Sequence, residues 1–169
     1  RCRQPEEHPV GSSMDKQRQI AGNIIRDINL MAGYVKQVGA IPLIVEKGDI
    51  KTVLVTAKNQ SDIWIFPKGH CERGVSGNKM SQLEAYEEAG VTGKVKHKKC
   101  GSFKYSKMNR DYKVKYYPML VEDVLQRWPE SRQRKRAVVS VSKALKMLRQ
   151  EKMKKLLKRS VIRINKSLK

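Results

Sequence analysis

Residues 64–91 read WIFPKGHCERGVSGNKMSQLEAYEEAGV, and they contain the most informative pattern in the chain. The apolar residues Trp64–Phe66 predict a short buried strand, which Pro67 ends because proline has no N–H for the ladder. A glycine-rich loop follows over Gly69–Gly77, and helical spacing begins directly after it. The stretch therefore predicts a strand, a glycine-rich loop and a helix in direct succession.

The helix of this stretch carries a cluster of carboxylates. The apolar pattern predicts a helix from about Asn78 to Ala89, closed by Gly90 as a C-cap. Glu84, Glu87 and Glu88 stand at i, i+3 and i+4, so their side chains project from one face. Clustered oxygen ligands suit Mg²⁺, and a glycine-rich loop lets the backbone approach a ligand closely. From the spacing alone, a solvated helix face paired with lysines is an equally open reading.

Strands and helices are intermixed outside this stretch. The turn Lys47-Gly48-Asp49 separates the first two apolar runs and predicts a hairpin. Helical spacing starts at Ser142 and runs to about Leu168, with a first helix expected to pack on the sheet and a second to extend outward. The chain is therefore predicted to be an α/β protein with a mixed sheet covered by helices. The remaining strands are predicted at Val38–Glu46, Val53–Ala57, Val95–Tyr105, Tyr112–Val121 and Ala137–Val141.

Length and composition predict one compact domain. The chain has 169 residues, of which 39% are apolar, enough for a core and too many for wholesale disorder. No apolar run reaches about 18 uncharged residues, so no membrane span is expected. We expect a disordered leader over residues 1–13, the main domain over 14–150, and a basic helical extension over 151–169.

The charge is strongly positive and concentrated at one end. Lys and Arg number 37 against 16 Asp and Glu, a formal net charge of +21. Residues 132–169 contribute most of the excess, with Glu151 as their one acid. A surface of this kind attracts polyanions such as nucleic acid, anionic lipid or phosphorylated small molecules, and charge does not choose among them. The basic helical segment is expected either to pack on the sheet or to bind nucleic acid or a membrane surface.

The cysteines predict no structural role. Cys2, Cys71 and Cys100 are odd in number and form no CxxC pair, so neither a disulfide framework nor a structural zinc site is expected. This usage favours a reducing, cytoplasmic compartment.

The quoted stretch resembles the signature of the Nudix hydrolases. That signature is a glycine, five residues, a glutamate, seven residues, and then Arg-Glu-aliphatic-any-Glu-Glu-any-Gly-aliphatic. Anchoring on Gly90 places Gly69 first, Glu84 after the arginine position, and Glu87 and Glu88 at the acidic pair, without a gap. The resemblance implies the Nudix fold, a mixed sheet sandwiched between helices (α/β/α), here with an extra basic C-terminal helix.

Two positions depart from the signature. Its glutamate is Val75 here and its arginine is Leu83. In the family these two residues are expected to form an ion pair, and both are lost together. Replacing both members of a buried ion pair by apolar residues is often neutral, so Val75 is expected to pack on Leu83. The departures bear on the catalytic rate more than on the fold.

The resemblance implies metal-assisted hydrolysis of a phosphoanhydride bond. Mg²⁺ or Mn²⁺ is expected on Glu84, Glu88 and the backbone carbonyl of Lys68, where it would neutralise phosphate oxygens and activate a water. Glu87 is expected to complete the cluster as a further ligand or as the proton acceptor, and both roles stay open. These three glutamates are the predicted catalytic residues.

A looser resemblance, over about residues 34–150, points to the diphosphoinositol and diadenosine polyphosphate hydrolase branch. It is carried by Trp128-Pro129-Glu130 and by a basic triplet a few residues later. The branch uses residues at such positions to contact substrate phosphates, and the triplet is alternatively a solvated turn. The matching phosphate-binding positions are Lys36, Gln37, Lys58, Arg134, Lys135 and Arg136.

Two functions are therefore predicted. The first is hydrolysis of a dinucleoside polyphosphate or an inositol pyrophosphate. The alternative is a catalytically weak Nudix fold that binds nucleic acid or nucleotides, favoured by Val75, Leu83 and the basic C-terminal segment. Metal-dependent turnover that needs the glutamates distinguishes them.

Overall fold

The computed structural model describes residues 33–95 and 99–167, together with Gln17, Gln19 and Ile20. The predicted leader, residues 1–13, lies outside the described residues, as does Cys2. Within residues 33–95 and 99–167, eight strands form one sheet and three helices pack against it. In chain order they are β1 Val35–Glu46, β2 Asp49–Ala57, β3 Gln60–Ile65, β4 Lys68–His70, α1 Gly77–Ala89, β5 Val91–Lys94, β6 Gly101–Lys107, β7 Arg110–Val124, β8 Arg136–Ser140, α2 Val141–Met147 and α3 Glu151–Ser167.

The sheet is mixed because its two central strands run parallel. β1 pairs with β7 in parallel, from Val35 opposite Tyr112 to Leu43 opposite Leu120. The main order is β3-β2-β1-β7-β5, while β4 pairs with β1, β6 with β7 and β8 with β2, all antiparallel. The hairpin predicted at Lys47-Gly48-Asp49 joins β1 to β2.

Alternate residues of the central strands point into two separate cores. Ile41 and Leu43 belong to the core under α2 and α3, whereas Ala40 and Ile44 belong to the core under α1. This follows from the period of two in a strand, which sends successive side chains to opposite faces. The sheet thus lies between helices on both faces, and the predicted fold class is confirmed.

The helix α1 has the bounds that the sequence predicts to within one residue. Ser76 is its N-cap, and the side chain accepts a hydrogen bond from the Lys79 N–H at 3.3 Å. Gly90 is its C-cap with φ of 61°, a left-handed conformation that favours glycine. The Gly90 N–H donates to the carbonyl of Tyr86 at 2.9 Å.

The prediction of one strand over Val95–Tyr105 is wrong. β5 ends at Lys94 and β6 begins at Gly101, and residues 96–98 lie outside the described part of the chain. β5 starts directly after the helix cap and holds a bulge at Gly93, so it carries too short a run of alternation to be seen in the sequence.

The two helices predicted between Ser142 and about Leu168 are found as α2 and α3, but the prediction that the second extends outward is wrong. The chain leaves the helical conformation at Leu148, whose ψ is 119°, and α3 starts afresh at Glu151. α3 packs on the sheet, because Leu156, Leu157 and Ile164 lie in the core that it shares with α2. Its apolar residues recur at helical spacing, so one face is buried while the lysines stay in water. No helix in the described residues is long and apolar enough to cross a membrane.

Substitution of Leu157 by alanine tests the packing of α3. Leu157 is fully buried, so Leu157→Ala should lower the free energy of unfolding by about 2–5 kcal/mol in urea titrations. The neighbouring exposed residue gives the control, and Lys158→Ala should change stability by less than about 0.5 kcal/mol. Equal, small effects of both changes would mean that α3 does not pack on the sheet.

Candidate active site

Glu84 lies against the first glycine of the glycine-rich loop. A Cβ built on Gly69 would overlap the carboxyl group of Glu84, so this close approach requires glycine at position 69. Glu84 is only 9% exposed, and it accepts no hydrogen bond from another described residue. Its carboxylate is therefore available for a ligand.

Glu88 lies one helical turn further along α1 and is held from two sides. The backbone N–H of Lys68 donates to Glu88 Oε2 at 3.0 Å. The guanidinium of Arg134 donates to Glu88 Oε1, and both side chains of this ion pair are 7% exposed. Such partners are needed because an unpaired buried carboxylate costs several kcal/mol.

Arg134 connects α1 to the segment between β7 and β8. Its Nε donates to Glu130 Oε2 at 2.5 Å, and its Nη1 donates to the carbonyl of Thr56 at 2.9 Å. The guanidinium thus bridges the carboxylates of Glu88 and Glu130 and the end of β2. The sequence predicts a phosphate-binding role for Arg134, and the structure shows the guanidinium engaged with protein groups.

Burial raises the pKa of Glu84 and that of Glu88, each to about 7. At Glu84 the neighbouring carboxylates Glu88 and Glu87 raise the pKa further, and the Lys68 ammonium opposes them. At Glu88 the charge of Arg134 and the hydrogen bond from the Lys68 N–H oppose the effect of burial. A carboxyl group with a pKa near 7 is suited to accept a proton at neutral pH.

Glu87 is placed differently from the other two glutamates. It is half-buried, and its backbone carbonyl accepts a hydrogen bond from the Glu130 N–H at 3.0 Å. It lies near enough to Glu84 to raise the pKa of that carboxyl group. Among the described residues, no three His, Cys, Asp or Glu side chains converge on a point where they could hold a metal ion. The three predicted glutamates thus lie on one turn of α1, but their side chains do not converge on a single point.

The donor set nevertheless fits a divalent cation. Glu84 offers a free carboxylate, and the repulsion between the buried Glu84 and Glu88 carboxylates is what a bound cation would relieve. Hard oxygen donors of this kind suit Mg²⁺ or Mn²⁺. The sequence predicts the backbone carbonyl of Lys68 as a metal ligand. The backbone group of Lys68 that contacts Glu88 is instead the N–H.

The side chain of Lys68 belongs to a polar network beside the carboxylates. Its Nζ donates to Gln37 Oε1 at 3.3 Å and to the Tyr105 hydroxyl oxygen at 3.1 Å, and that hydroxyl donates to Gln37 Oε1 at 2.8 Å. Burial lowers the pKa of Lys68, against the opposing charge of Glu88. Gln37, predicted as a phosphate ligand, is only 5% exposed and orients Lys68 and Tyr105.

Arg136 is directed to the C-terminal end of α1. Its Nη1 donates to the carbonyls of Ala89 at 2.9 Å and Leu125 at 2.8 Å. The guanidinium also lies over the Trp128 ring, 4.1 Å from its centroid. Arg136 therefore satisfies a carbonyl that the helix end leaves without a partner. The structure does not bring its guanidinium to the Glu84 carboxylate.

The other predicted phosphate-binding residues are exposed at three different places. Lys58 lies in the turn between β2 and β3, and Lys36 lies on β1. Lys135 follows Arg134, and its backbone N–H donates to Thr56 Oγ1 at 3.1 Å. Their roles toward a substrate stay predictions.

Leu83 and Val75, the two departures from the signature, lie in different surroundings. Leu83 is 39% exposed, which does not fit the tight apolar contact expected between it and Val75. Val75 instead lines a cavity between the glycine-rich loop and the sheet.

Sequence reasoning missed the partners of the central arginine. Glu130 and Thr56 hold Arg134, and the Trp128 indole N–H donates to the backbone carbonyl of Glu88 at 3.1 Å. The one signal in the sequence was the spacing of Glu130 and Arg134 at i and i+4. No local sequence pattern indicates that Glu130 and Arg134 lie close to Glu88.

Known proteins include relatives of this chain in sequence and in fold. No family model matches the chain. Nudix hydrolase 21, chloroplastic, of Arabidopsis thaliana is 30% identical over 146 residues, covering 82% of this chain and 73% of that protein. Diphosphoinositol polyphosphate phosphohydrolase 3-beta of Bos taurus is 30% identical over 118 residues, covering 69% of this chain and 70% of that one.

A solved structure shares the fold. The C. elegans Ap4A hydrolase in a binary complex superposes with a TM-score of 0.65 at 24% identity, covering 78% of this chain and 98% of that one. With relatives of this similarity and coverage, the chain belongs to the Nudix hydrolases, and the family predicted from residues 64–91 is confirmed.

Removal of the Arg134 guanidinium should destabilise the protein strongly. Arg134→Met leaves the buried Glu88 and the partly buried Glu130 without their charge partner, so we expect a loss of about 3–5 kcal/mol in urea unfolding at pH 8. The exposed neighbour Arg132 is the matched control, and Arg132→Met should stay within about 0.5 kcal/mol of wild type. A loss no larger than that of the control would contradict the bridging role.

The raised pKa values of Glu84 and Glu88 predict how stability depends on pH. Between the ordinary value of 4.5 and about 7, each carboxyl binds more protons in the folded than in the unfolded protein. In chelator-treated protein the free energy of unfolding should therefore fall as pH rises through this window, by up to about 1.4 kcal/mol per pH unit for each carboxyl that titrates.

Glu84→Gln should flatten this pH profile, as measured by urea unfolding at several pH values from 5 to 8. Glu122→Gln is the control, because Glu122 is exposed and pairs with Lys94 at the surface. An unchanged slope in Glu84→Gln would show that Glu84 does not titrate as argued.

Proposed function

We propose that this chain hydrolyses a phosphoanhydride bond of a polyphosphorylated substrate with the help of a divalent cation. The observation that carries the proposal is the pairing of two buried carboxylates, Glu84 and Glu88, on one face of α1. One of them is free and the other is fixed by Arg134 and Lys68. Membership of the Nudix hydrolases supports the same chemistry.

Glu84 and Glu88 are the residues that would hold the cation, with Glu87 as a further ligand from the same helix turn. When bound, Mg²⁺ or Mn²⁺ neutralises phosphate oxygens and makes a water molecule more acidic. The ionised form of both carboxylates is needed for this binding, so the pKa values near 7 make metal affinity rise with pH.

Glu84, Glu88 and Lys68 would each have a different role in the hydrolysis. Glu84 forms no hydrogen bond with the described residues, so one of its oxygens would hold the cation while the other would take the proton as a water oxygen attacks phosphorus and the bridging P–O bond breaks. Glu88 would stay ionised and oriented, because Arg134 and the Lys68 N–H hold its two oxygens. The ammonium of Lys68 would supply positive charge beside the reacting phosphate.

The substrate class is proposed from charge and from the relatives. One relative is a diphosphoinositol polyphosphate phosphohydrolase and one structural neighbour is an Ap4A hydrolase. Lys36, Lys58 and Lys135 are exposed, and their positive charges would favour a highly anionic molecule. An inositol pyrophosphate or a dinucleoside polyphosphate fits this requirement.

The first experiment is phosphate or nucleotide release from a panel of inositol pyrophosphates, diadenosine polyphosphates and nucleoside triphosphates. We expect turnover of one class with Mg²⁺ or Mn²⁺, and none in chelator. Glu84→Gln should lower kcat about 10²–10⁴-fold, the range for loss of a general base. Glu122→Gln, on the exposed end of β7, should keep the wild-type rate.

Loss of turnover in Glu84→Gln would not be explained by unfolding of the variant. Glu84→Gln removes a repelling buried charge, so the variant should be at least as stable as wild type above pH 7. Turnover that survives in Glu84→Gln and Glu88→Gln would contradict the proposed roles.

A binding module is the second candidate, and one observation favours it. Glu88 already accepts hydrogen bonds on both oxygens, which leaves fewer lone pairs for a cation. Absence of turnover with every compound of the panel, with folded protein and Mg²⁺ present, would support this candidate. Calorimetric titration with the same compounds would then show which one binds.

Two predictions about the setting stay open to test. The names of two relatives carry the words chloroplastic and mitochondrial, so the cytoplasmic location stays a prediction. Nucleic-acid binding rests on the exposed lysines of α3, such as Lys152, Lys155 and Lys158. A fluorescence titration with RNA would test it, and affinity that vanishes near 0.2 M salt would mark it as non-specific, on the order expected for counterion release.

A further inference from the structure

The outer side of α3 carries a basic stripe, formed by Lys155, Arg159, Ile162, Arg163 and Lys166. With about 100° of rotation per residue, these five positions fall within about 100° of arc. Their rise along the helix axis is about 16 Å. The cations therefore stand in one straight row, and a flat partner can contact all of them at once.

Acids among the described residues do not neutralise the charges of the stripe. Lys155, Arg159 and Lys166 are exposed, and they form no hydrogen bond or ion pair with another described residue. The one acid of α3, Glu151, pairs with Lys154 at 2.6 Å. The stripe is therefore a surface to which an anionic partner is attracted.

A groove of about 360 Å³ lies beside the second half of the stripe. Ile162 is 55% exposed there, so an aliphatic side chain stands in water between the charges. Arg163 donates to the backbone carbonyl of Lys99 at 3.0 Å, which holds its guanidinium beside the groove. The described residues that line the groove are Cys100, Arg159, Ile162, Arg163 and Lys166, and none of them is an acid.

The composition of this surface favours a lipid bilayer over a nucleic acid. Single-stranded nucleic acids bind through bases stacked on aromatic side chains as well as through phosphates, and α2 and α3 contain no aromatic residue. The exposed Ile162 has no apolar partner on a phosphate backbone, whereas the interface of a bilayer accepts an apolar side chain beside the phosphates. The apolar face of α3 is buried in the core, so such a contact is shallow and depends on charge.

We propose that the basic stripe docks this protein on an anionic lipid bilayer. The cations lie against the lipid headgroups, and Ile162 lies at the same depth. Each Lys or Arg near such a surface strengthens binding about fivefold, so the row acts as a unit. The proposal does not rest on the proposed hydrolysis, because α1, which carries Glu84 and Glu88, packs against the opposite face of the sheet.

Co-sedimentation of the full chain with lipid vesicles tests the proposal. The protein should bind phosphatidylcholine vesicles that contain about 30% phosphatidylserine, and it should stay in solution with phosphatidylcholine alone. Binding should weaken as salt rises above about 0.1 M, because the charges are then screened. Absence of binding to the anionic vesicles at about 0.1 M salt would overturn the proposal.

The triple variant Lys155→Gln/Arg159→Gln/Lys166→Gln should bind these vesicles about a hundredfold more weakly, since three of the four cations are gone. All three side chains are exposed, so urea unfolding should match that of wild type.

The charge-matched control Lys47→Gln/Arg127→Gln/Arg132→Gln removes three exposed cations outside α3 and should bind like wild type. Equal binding of the triple variant and this control would mean that net charge alone, and not the stripe, attracts the vesicles.

Ile162→Gln distinguishes a bilayer from other polyanions, because it keeps every charge. It should weaken vesicle binding several-fold, whereas Val124→Gln, which replaces an exposed apolar residue of β7, should leave binding unchanged. Vesicle binding that Ile162→Gln does not weaken would contradict docking through this stripe. Tighter binding to an RNA duplex at the same salt, lost in the triple variant, would assign the stripe to nucleic acid instead.

Discussion

The ion pair between Arg134 and Glu88 fixes the end of α1 to the segment that connects β7 with β8. That segment lies over the last turn of the helix, where Glu130 and Trp128 also bond to helix carbonyls. The same guanidinium reaches the end of β2 through Thr56. Because the side chains of Arg134 and Glu88 are both only 7% exposed, the orientation of Glu88 and the course of the connecting segment depend on each other.

Fixing Glu88 in this way sets the chemistry of its neighbour. Glu84 lies within the field of Glu88 and Glu87 and is pressed against Gly69, with no hydrogen-bond donor among the described residues. The Glu88 carboxylate thus has hydrogen-bond partners on both oxygens, whereas the Glu84 carboxylate has none among the described residues and is repelled by the charges of Glu88 and Glu87. The difference between the two, rather than their shared residue type, supports a division into an orienting group and a reacting group.

Much of the fold was predictable because it rests on local signals. The hairpin at Lys47-Gly48-Asp49 and the helix closed by Gly90 each follow from short-range geometry. The strands β4 and β5 were missed, because strands of three and four residues leave almost no periodic pattern. The outward course of α3 was also wrong, since burial of its apolar face depends on a surface formed by distant strands.

Local patterns were sufficient to predict the helix that follows the glycine-rich segment, the three glutamates on one of its faces and the family. Which distant groups meet these glutamates depends on tertiary contacts. Arg134 reaches Glu88 across 46 positions, and Lys36 meets Lys113 through parallel pairing of β1 with β7. The physical reason is that backbone preferences act over a few residues, whereas strand register and burial bring together side chains that no local pattern connects.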